Sequence, residues 1–366
     1  MPPALAVDHN RGTSGGNPPI RLMIVDDSMV ARAVLSRMIE SDGGFEIVAV
    51  AGSAEDAIES LSTTRVDVVM LDLEMPGAGG LKSIPAILKA ARGARVLIVS
   101  TLAEEGAEAT VTALAMGAAD TLPKPGTGRF NGTFSNVLLS KLRALGRRRD
   151  QDMALPGAPA SRPQAIAPRA MVSGPVRLLA LGASTGGIHA LGTFFHHFPR
   201  RIGAPILVTQ HLPEPFMAVF ARQLAVASQR ETVVAADGLR LLPDRVILAP
   251  GDASMTLDMS GGHLIVRLDH ARSASGYLPS VDPMLASAGA MLGREALGVV
   301  FSGMGRDGLE GARALVAAGG SVLIQDEASC AVWGMPRAVA EAGLPCAILP
   351  PGGLAERIAE RIGDAS

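Results

Sequence analysis

Three residue types that can cooperate in acyl transfer stand far apart in the chain: Ser184, His211 and Asp307. A serine hydroxyl is a poor nucleophile until a base removes its proton. A neutral imidazole can do so, with a carboxylate holding the tautomer it needs. Ser184 lies in LLALGASTGG, residues 178–187, where an apolar run ends and Gly186 and Gly187 open a segment with Ile188, Leu191, Phe195 and Phe198 at helical spacing. The stretch reads as strand, sharp turn and helix, with a hydroxyl at the bend. Gly-Ala-Ser-Thr-Gly fits the G-x-S-x-G nucleophile elbow. A phosphate-cradling loop fits poorly, because a dinucleotide fingerprint needs glycine where Ser184 stands and a Walker loop needs lysine after its last glycine. A Gly-rich turn without chemistry stays open on this stretch alone. So do capping roles for Ser184 and Asp307, and a structural role for His211.

A second constellation precedes the first. Asp26 and Asp27 end one apolar run, Asp72 ends another, Ser100 a third, and Lys124-Pro125 follows a fourth. Carboxylates gathered at one sheet edge repel each other unless a cation sits among them, and hard oxygen ligands suit Mg²⁺. A lysine and a hydroxyl on that edge would hold a phosphoryl group by charge and hydrogen bonding. Taken singly, each motif is an ordinary capped turn; five at successive strand ends are not.

The elements that must position these residues follow from the hydrophobic pattern. From residue 21 the apolar runs RLMIV, EIVAV, DVVML, RVLIV and ADTLP alternate with helical stretches, which predicts a parallel sheet covered on both faces. In such sheets ligands bind beyond the carboxyl ends of the strands. The alternation restarts at 178–183, then 204–211 ending at His211, with a helix running through Gln223. Residues 245–249 and 263–268 enclose GDASMTLDMSGG, read as an antiparallel excursion. Further strands are expected at 297–301 and 321–325, with a helix at 309–317 between them. Ser184, His211 and Asp307 then share one edge. The order Ser, His, Asp differs from the Ser, Asp, His of α/β-hydrolases and argues against that fold. Backbone N–H groups near Thr185 and in the loop Gly303, Met304, Gly305 are the candidate oxyanion donors.

The expected fold class is α/β, with two doubly wound domains. Residues 1–19, rich in Pro, Gly and Asn, form a disordered lead-in. Residues 20–147 form a five-stranded flavodoxin-like domain, 148–175 a Pro/Ala-rich linker, and 176–366 a mostly parallel catalytic domain. The 366 residues carry a net charge of −2, with 48% hydrophobic and 19% charged side chains, so no basic stripe points to nucleic acid. Two cysteines, Cys330 and Cys346, exclude a disulfide framework. With no signal peptide and no apolar run of membrane-spanning length, the expectation is a cytoplasmic protein that does not insert into a membrane.

Residues 21–147 resemble a response-regulator receiver domain. The resemblance implies phosphorylation at Asp72, Mg²⁺ held by Asp26, Asp27 and Asp72, a switch hydroxyl at Ser100 and the phosphate-binding Lys124 before a cis peptide to Pro125. Thr121 departs from the pattern, since many receivers carry an aromatic switch residue there, so an interface with the second domain is the expected readout. GASTGG, TQHLP, APGD, PSVDPM, SGMGRDG and EASCAVWGMP together resemble the chemotaxis protein-glutamate methylesterase (CheB) family. That resemblance implies Ser184 as nucleophile, His211 as base, Asp307 as its orienting acid, and no cofactor for the ester chemistry. Its implied substrates are glutamyl methyl esters, and specific glutamines, on chemoreceptor cytoplasmic helices. Its implied phosphodonor is a sensor histidine kinase, with the receiver covering the esterase edge until it is phosphorylated. Two alternatives are a phosphorylation-controlled binding module with a silent esterase domain, and a hydrolase of another protein ester or amide.

Overall fold

The computed structural model of the chain describes residues 18–76, 79–100, 104–125, 132–146 and 168–363. The expected lead-in, apart from residues 18 and 19, and the expected linker up to residue 167 lie outside the described residues. So does residue 101.

The first unit alternates strands and helices: β1 (Ile20–Val25), α1 (Met29–Glu40), β2 (Phe45–Ala51), α2 (Ala54–Thr63), β3 (Val68–Leu71) and α3 (Gly80–Ala90). It continues with β4 (Arg95–Ser100), α4 (Glu104–Ala115), β5 (Asp120–Pro123) and α5 (Gly132–Gly146). The strands form one parallel sheet in the order β2-β1-β3-β4-β5. β3, Val-Val-Met-Leu, is buried throughout, as a strand covered on both faces must be. Serines cap the first two helices: Ser28 Oγ accepts from Ala31 N at 3.2 Å and Ser53 Oγ from Asp56 N at 3.1 Å. The Lys124–Pro125 bond is trans, against expectation. The cis bond among the described residues is Leu278–Pro279. An X-Pro bond prefers trans unless its surroundings impose otherwise.

The second unit begins with β6 (Leu178–Ala183), α6 (Gly187–His197), β7 (Ile206–Gln210), α7 (Met217–Ser228), β8 (Thr232–Val234) and β9 (Val246–Leu248). Next come β10 (Ser254–Ser260), β11 (His263–Asp269), α8 (Val281–Leu292), β12 (Ala296–Val300) and α9 (Leu309–Ala317). β13 (Ser321–Gln325), α10 (Met335–Glu341), β14 (Ala347–Leu349) and α11 (Pro351–Gly363) complete it. Seven strands pair in parallel in the order β14-β13-β12-β6-β7-β9-β8. From β6 the chain builds outward through β7 on one side, then returns to β12 on the other. The connections diverge between β6 and β12, which opens a crevice at the carboxyl ends of those strands.

Three details differ from the pattern reading. The helix after residue 216 runs to Ser228 rather than stopping at Gln223. Residues 246–248 are a fully buried parallel strand between β7 and β8. The antiparallel pair is β10 with β11, where Met255 and Leu257 point inward while Thr256 and Asp258 face outward. The third is α8, which begins in PSVDPM and was not separated from the loop before it.

Helices α8 and α9 pack closely through glycine: a Cβ on Gly311 would lie 2.5 Å from the Asp282 carbonyl oxygen. Apolar contact also runs between the units. Ala107, Val111 and Leu114 share a buried cluster with Leu212, Phe216 and Val219. Among the described residues, no helix is long and apolar enough to cross a membrane. The Gly311 contact predicts that Gly311→Ala destabilises the chain by about 1–3 kcal/mol by forcing α8 and α9 apart. A urea midpoint equal to that of the unsubstituted protein would contradict this packing.

Candidate active site

Ser184 is the first residue beyond β6, and small residues force the bend that presents it. A Cβ on Gly187 would lie 2.4 Å from Gln210 Oε1, and one on Gly182 would lie 2.3 Å from a Val281 methyl. Gly186 has φ +78°, the left-handed region that glycine tolerates. The Ser184 backbone is held on both sides: its N–H donates to the Ser302 carbonyl at 3.0 Å, and its carbonyl accepts from Gln210 Nε2 at 2.9 Å.

His211 follows β7, the neighbour of β6, and its N–H donates to the Ala183 carbonyl at 3.1 Å. Its Nε2 lies 2.7 Å from Asp307 Oδ2. Asp307 has no solvent exposure, and its oxygens are surrounded by donors. Ser280 Oγ donates to Oδ1 at 2.6 Å and Ser275 Oγ at 2.9 Å, while the Val281 N–H donates to Oδ2 at 2.7 Å. Burial alone would raise the pKa of this carboxyl. The hydrogen bond and charge of His211, with Ser280 and the Val281 N–H, outweigh burial and hold it well below the usual carboxylate range. A carboxylate at Nε2 favours the tautomer protonated there, leaving a lone pair on Nδ1. Nδ1 is buried and has no hydrogen-bond partner, and His211 and Ser184 line one cavity. No hydrogen bond joins Ser184 Oγ to the imidazole.

The oxyanion candidates divide. The Gly303 N–H already donates to the Val332 carbonyl at 3.0 Å, so it is engaged within the protein. The loop nonetheless lies against Ser184, since a Cβ on Gly303 would lie 2.8 Å from Ser184 Cβ. Thr185 directs its hydroxyl to Asp120 Oδ2 at 2.5 Å, and the Gly186 N–H donates to the Ala119 carbonyl at 2.6 Å. Both acceptors belong to the first unit. A peptide carbonyl therefore sits on an N–H of the turn that carries Ser184. Gly186 was not among the donors nominated from sequence, and nothing in the spacing marks it.

A model of the CheB methylesterase family matches residues 179–358, and one of the response regulator receiver domain matches residues 22–129. The protein-glutamate methylesterase/protein-glutamine glutaminase 1 of Paramagnetospirillum magneticum is 40% identical over 354 residues, covering 90% of this chain and 93% of its own. This chain belongs to the CheB family. A Caulobacter vibrioides relative, protein-glutamate methylesterase/protein-glutamine glutaminase 2, is 39% identical and covers 93% of this chain and 99% of its own. The solved catalytic domain of Thermotoga maritima CheB methylesterase is 32% identical, covering 50% of this chain and 98% of its own, with a TM-score of 0.49.

In this CheB-family chain the receiver's acidic site is assembled at the ends of β1 and β3. Oxygens of Asp26, Asp27 and Asp72 lie within 4.8 Å of one another, a hard-donor set that fits Mg²⁺. Lys124 Nζ reaches Asp26 Oδ2 at 2.8 Å and Asp72 Oδ2 at 2.6 Å. Burial raises the pKa of Asp72, and Lys124 only partly offsets it. Burial also works against the charged lysine, but hydrogen bonds to Asp26 and Asp72 hold its pKa above the usual value. Ser100 Oγ is buried without a partner. Thr121 is buried in β5, and the residue before it, Asp120, makes the contact to the esterase. Asp120 Oδ2 also accepts from Lys141 Nζ at 2.5 Å. Leu114, Ala118 and Asp120 join Ser184, His211 and Leu212 around a cavity of about 10 Å³, room for one water and no more.

The donors around Asp307, together with Asp282, went unassigned in the sequence although PSVDPM stood out as a motif. Asp282 Oδ1 accepts from the Gly311 N–H at 2.8 Å. Burial, together with the charge of Asp307, pushes the Asp282 carboxyl up to about 6. A raised carboxyl stabilises the folded chain below its unfolded pKa, and that contribution is lost as pH rises through about 6. Asp282→Asn should therefore melt above the unsubstituted chain at about pH 7.5, with the difference shrinking at about pH 4.5. A difference independent of pH in calorimetry would contradict the burial assigned to this carboxyl.

Proposed function

We propose that this chain is a phosphorylation-regulated protein-glutamate methylesterase, with protein-glutamine glutaminase activity, in which Ser184, His211 and Asp307 carry the chemistry. The observation that carries this reading is the 2.7 Å pairing of His211 Nε2 with buried Asp307, which leaves Nδ1 without a partner, while His211 and Ser184 line one cavity. The substrate class is the γ-methyl ester of glutamate, and the amide of glutamine, on cytoplasmic helices of chemoreceptors.

His211 Nδ1 takes the Ser184 proton as Oγ forms a bond to the γ-carbonyl carbon. The tetrahedral oxygen bears the negative charge, and the turn after Ser184 offers it the Gly186 N–H once Ala119 leaves. Collapse breaks the bond to methoxide or amide nitrogen. The imidazolium returns its proton to the leaving group, releasing methanol or ammonia. Water, deprotonated by the same Nδ1, then attacks the acyl-serine and releases the glutamate side chain. Asp307 stays ionised throughout and stabilises the imidazolium.

In the receiver, Asp72 is the acceptor of a phosphoryl group from a sensor histidine kinase. Asp26, Asp27 and Asp72 would hold Mg²⁺, which neutralises phosphoryl charge when bound. The added charge of about −1.5 to −2 draws on Lys124 and Ser100 and competes with the Asp26–Lys124–Asp72 pairing. Lys124 follows β5 directly, and Asp120 begins it, so the two sites are joined by one short strand of roughly 13 Å at 3.3 Å per residue. Movement of β5 withdraws Ala119 and Asp120 from Gly186 and Thr185. Acetyl phosphate serves as the test phosphodonor.

Methanol release from methylated receptor helices should rise with acetyl phosphate, and Ser184→Ala should lower turnover by at least about 10³-fold. Retained activity in that variant would move the nucleophile elsewhere, and rates indifferent to acetyl phosphate would remove the regulatory assignment. Asp120→Ala removes a charged hydrogen bond worth about 1.5–3 kcal/mol from the closed arrangement. Its rate without acetyl phosphate should rise about tenfold, while Asp120→Asn, which keeps an acceptor, should rise less. An unchanged rate in Asp120→Ala would show that Thr185 is not held by this carboxylate.

A further inference from the structure

One hydrogen bond does not fix an imidazole. Asp307 holds His211 at Nε2, but the ring can still turn about that contact, and Nδ1 has no partner to stop it. The chain's single tyrosine supplies the missing constraint. The Tyr277 ring lies against the imidazole with centroids 4.2 Å apart and planes 11° from parallel. A parallel stack restrains the plane of the imidazole and leaves both its nitrogens free at the edges.

The same side chain reaches the loop beside the nucleophile. Tyr277 Oη donates to the Met304 carbonyl at 3.2 Å. Gly305, at φ +86°, leaves the space the phenol needs, since a Cβ there would lie 2.6 Å from Oη. Tyr277 is itself anchored in a segment committed to the site. Ser273 Oγ donates to the Tyr277 carbonyl at 3.3 Å, and Ser275 and Ser280 on either side both donate to Asp307. Burial raises the phenol pKa, with the charges of Asp307 and Asp120 adding to it, so the hydroxyl remains a donor.

We propose that Tyr277 is a positioning residue of the esterase, setting the plane of the His211 imidazole through its ring and bracing the 303–305 loop through its hydroxyl. The ring carries the larger effect, because it acts on the base whose lone pair must meet the Ser184 proton. The hydroxyl acts on a loop already tied down elsewhere: the Gly303 carbonyl accepts from Gly334 and Met335 N–H groups at 3.0 and 2.9 Å. This rests on His211 being the base proposed above.

The test uses the full chain with acetyl phosphate and methylated receptor helices, and separates kcat from KM. Tyr277→Phe keeps the stack and should hold kcat within about threefold. Tyr277→Leu removes the π face and should lower kcat about 10- to 100-fold at unchanged KM, as misplacing a catalytic group does. The His211 ring protons should resonate upfield in the unsubstituted protein and in Tyr277→Phe, a readout that stands even if Tyr277→Leu does not fold. Tyr277→Leu with unaltered kcat, a change confined to KM, a Phe variant as slow as the Leu variant, or unshifted His211 protons would each overturn the proposal. If the unsubstituted chain shows no Ser184-dependent hydrolysis, the function proposed above fails instead, and the two failures are distinguishable.

Discussion

A carboxylate sealed from water must find its hydrogen bonds in the protein, and the C-terminal unit is arranged around that demand at Asp307. Leaving such a charge without donors would cost several kcal/mol. The structure meets the demand from two directions. β12 delivers Asp307 on a loop, and α8 points its first turn at it, so that the Val281 N–H and the Ser280 hydroxyl converge on the carboxylate. The positive end of the helix dipole acts in the same sense. The arrangement repeats one step away, where Asp282 receives the Gly311 N–H at the start of α9. The two carboxylates are near enough to compete, and half-buried Asp282, which lacks the imidazole and hydroxyl donors gathered on Asp307, carries the raised pKa. With Asp307 kept ionised, His211 is held by its Nε2, and its other nitrogen is buried without a partner.

The receiver solves a related electrostatic problem differently. There the acidic cluster keeps one exposed member, Asp27, and a single lysine bridges the two buried ones. One ammonium thus serves two carboxylates, and burial still leaves the Asp72 carboxyl above its ordinary pKa. The hydroxyl of Ser100, at the end of β4, is buried without a hydrogen-bond partner. β5 runs between this cluster and the second unit: Lys124 stands beyond one end, and Asp120 stands at the other, against Thr185. The contact between units is mixed. Apolar packing of α4 against α6 and α7 is supplemented by a few hydrogen bonds, including Arg95 Nη2 to the Cys330 carbonyl at 2.9 Å. The residues around Cys330 also reach the turn after Ser184 through Ser302: the Ala331 and Val332 N–H groups donate to Ser302 Oγ at 3.1 Å, and that hydroxyl donates to the Thr185 carbonyl at 2.7 Å.

Much of this was legible in the order of residues alone. Fully apolar runs of four to six residues ending in Asp, Ser or His can be satisfied only as buried parallel strands, and the end of such a strand is where a ligand meets the sheet. That reasoning placed Asp26, Asp72, Ser184 and His211 just beyond strands, because it depends on local hydrophobic period and chain direction, which tertiary packing does not alter. α8 escaped it because Val281, Met284, Leu285 and Ala288 follow a loop whose own turn signals, Ser-Gly-Tyr-Leu-Pro, blur the helix start. Residues 245–249 were assigned to the excursion because a three-residue buried strand carries no period of its own.

What the sequence by itself determined is which side chains are chemically able to act, and that they lie at the carboxyl ends of strands in two separate sheets. Only the tertiary structure decided which imidazole nitrogen meets the carboxylate and which serines feed Asp307. It also decided that Tyr277 lies on His211 and that Ala119 occupies the Gly186 N–H. These are contacts between residues far apart in the chain, set by strand order, helix approach and the docking of one unit on the other. A one-dimensional pattern encodes the period of each element, but not the side of the sheet from which its neighbour arrives.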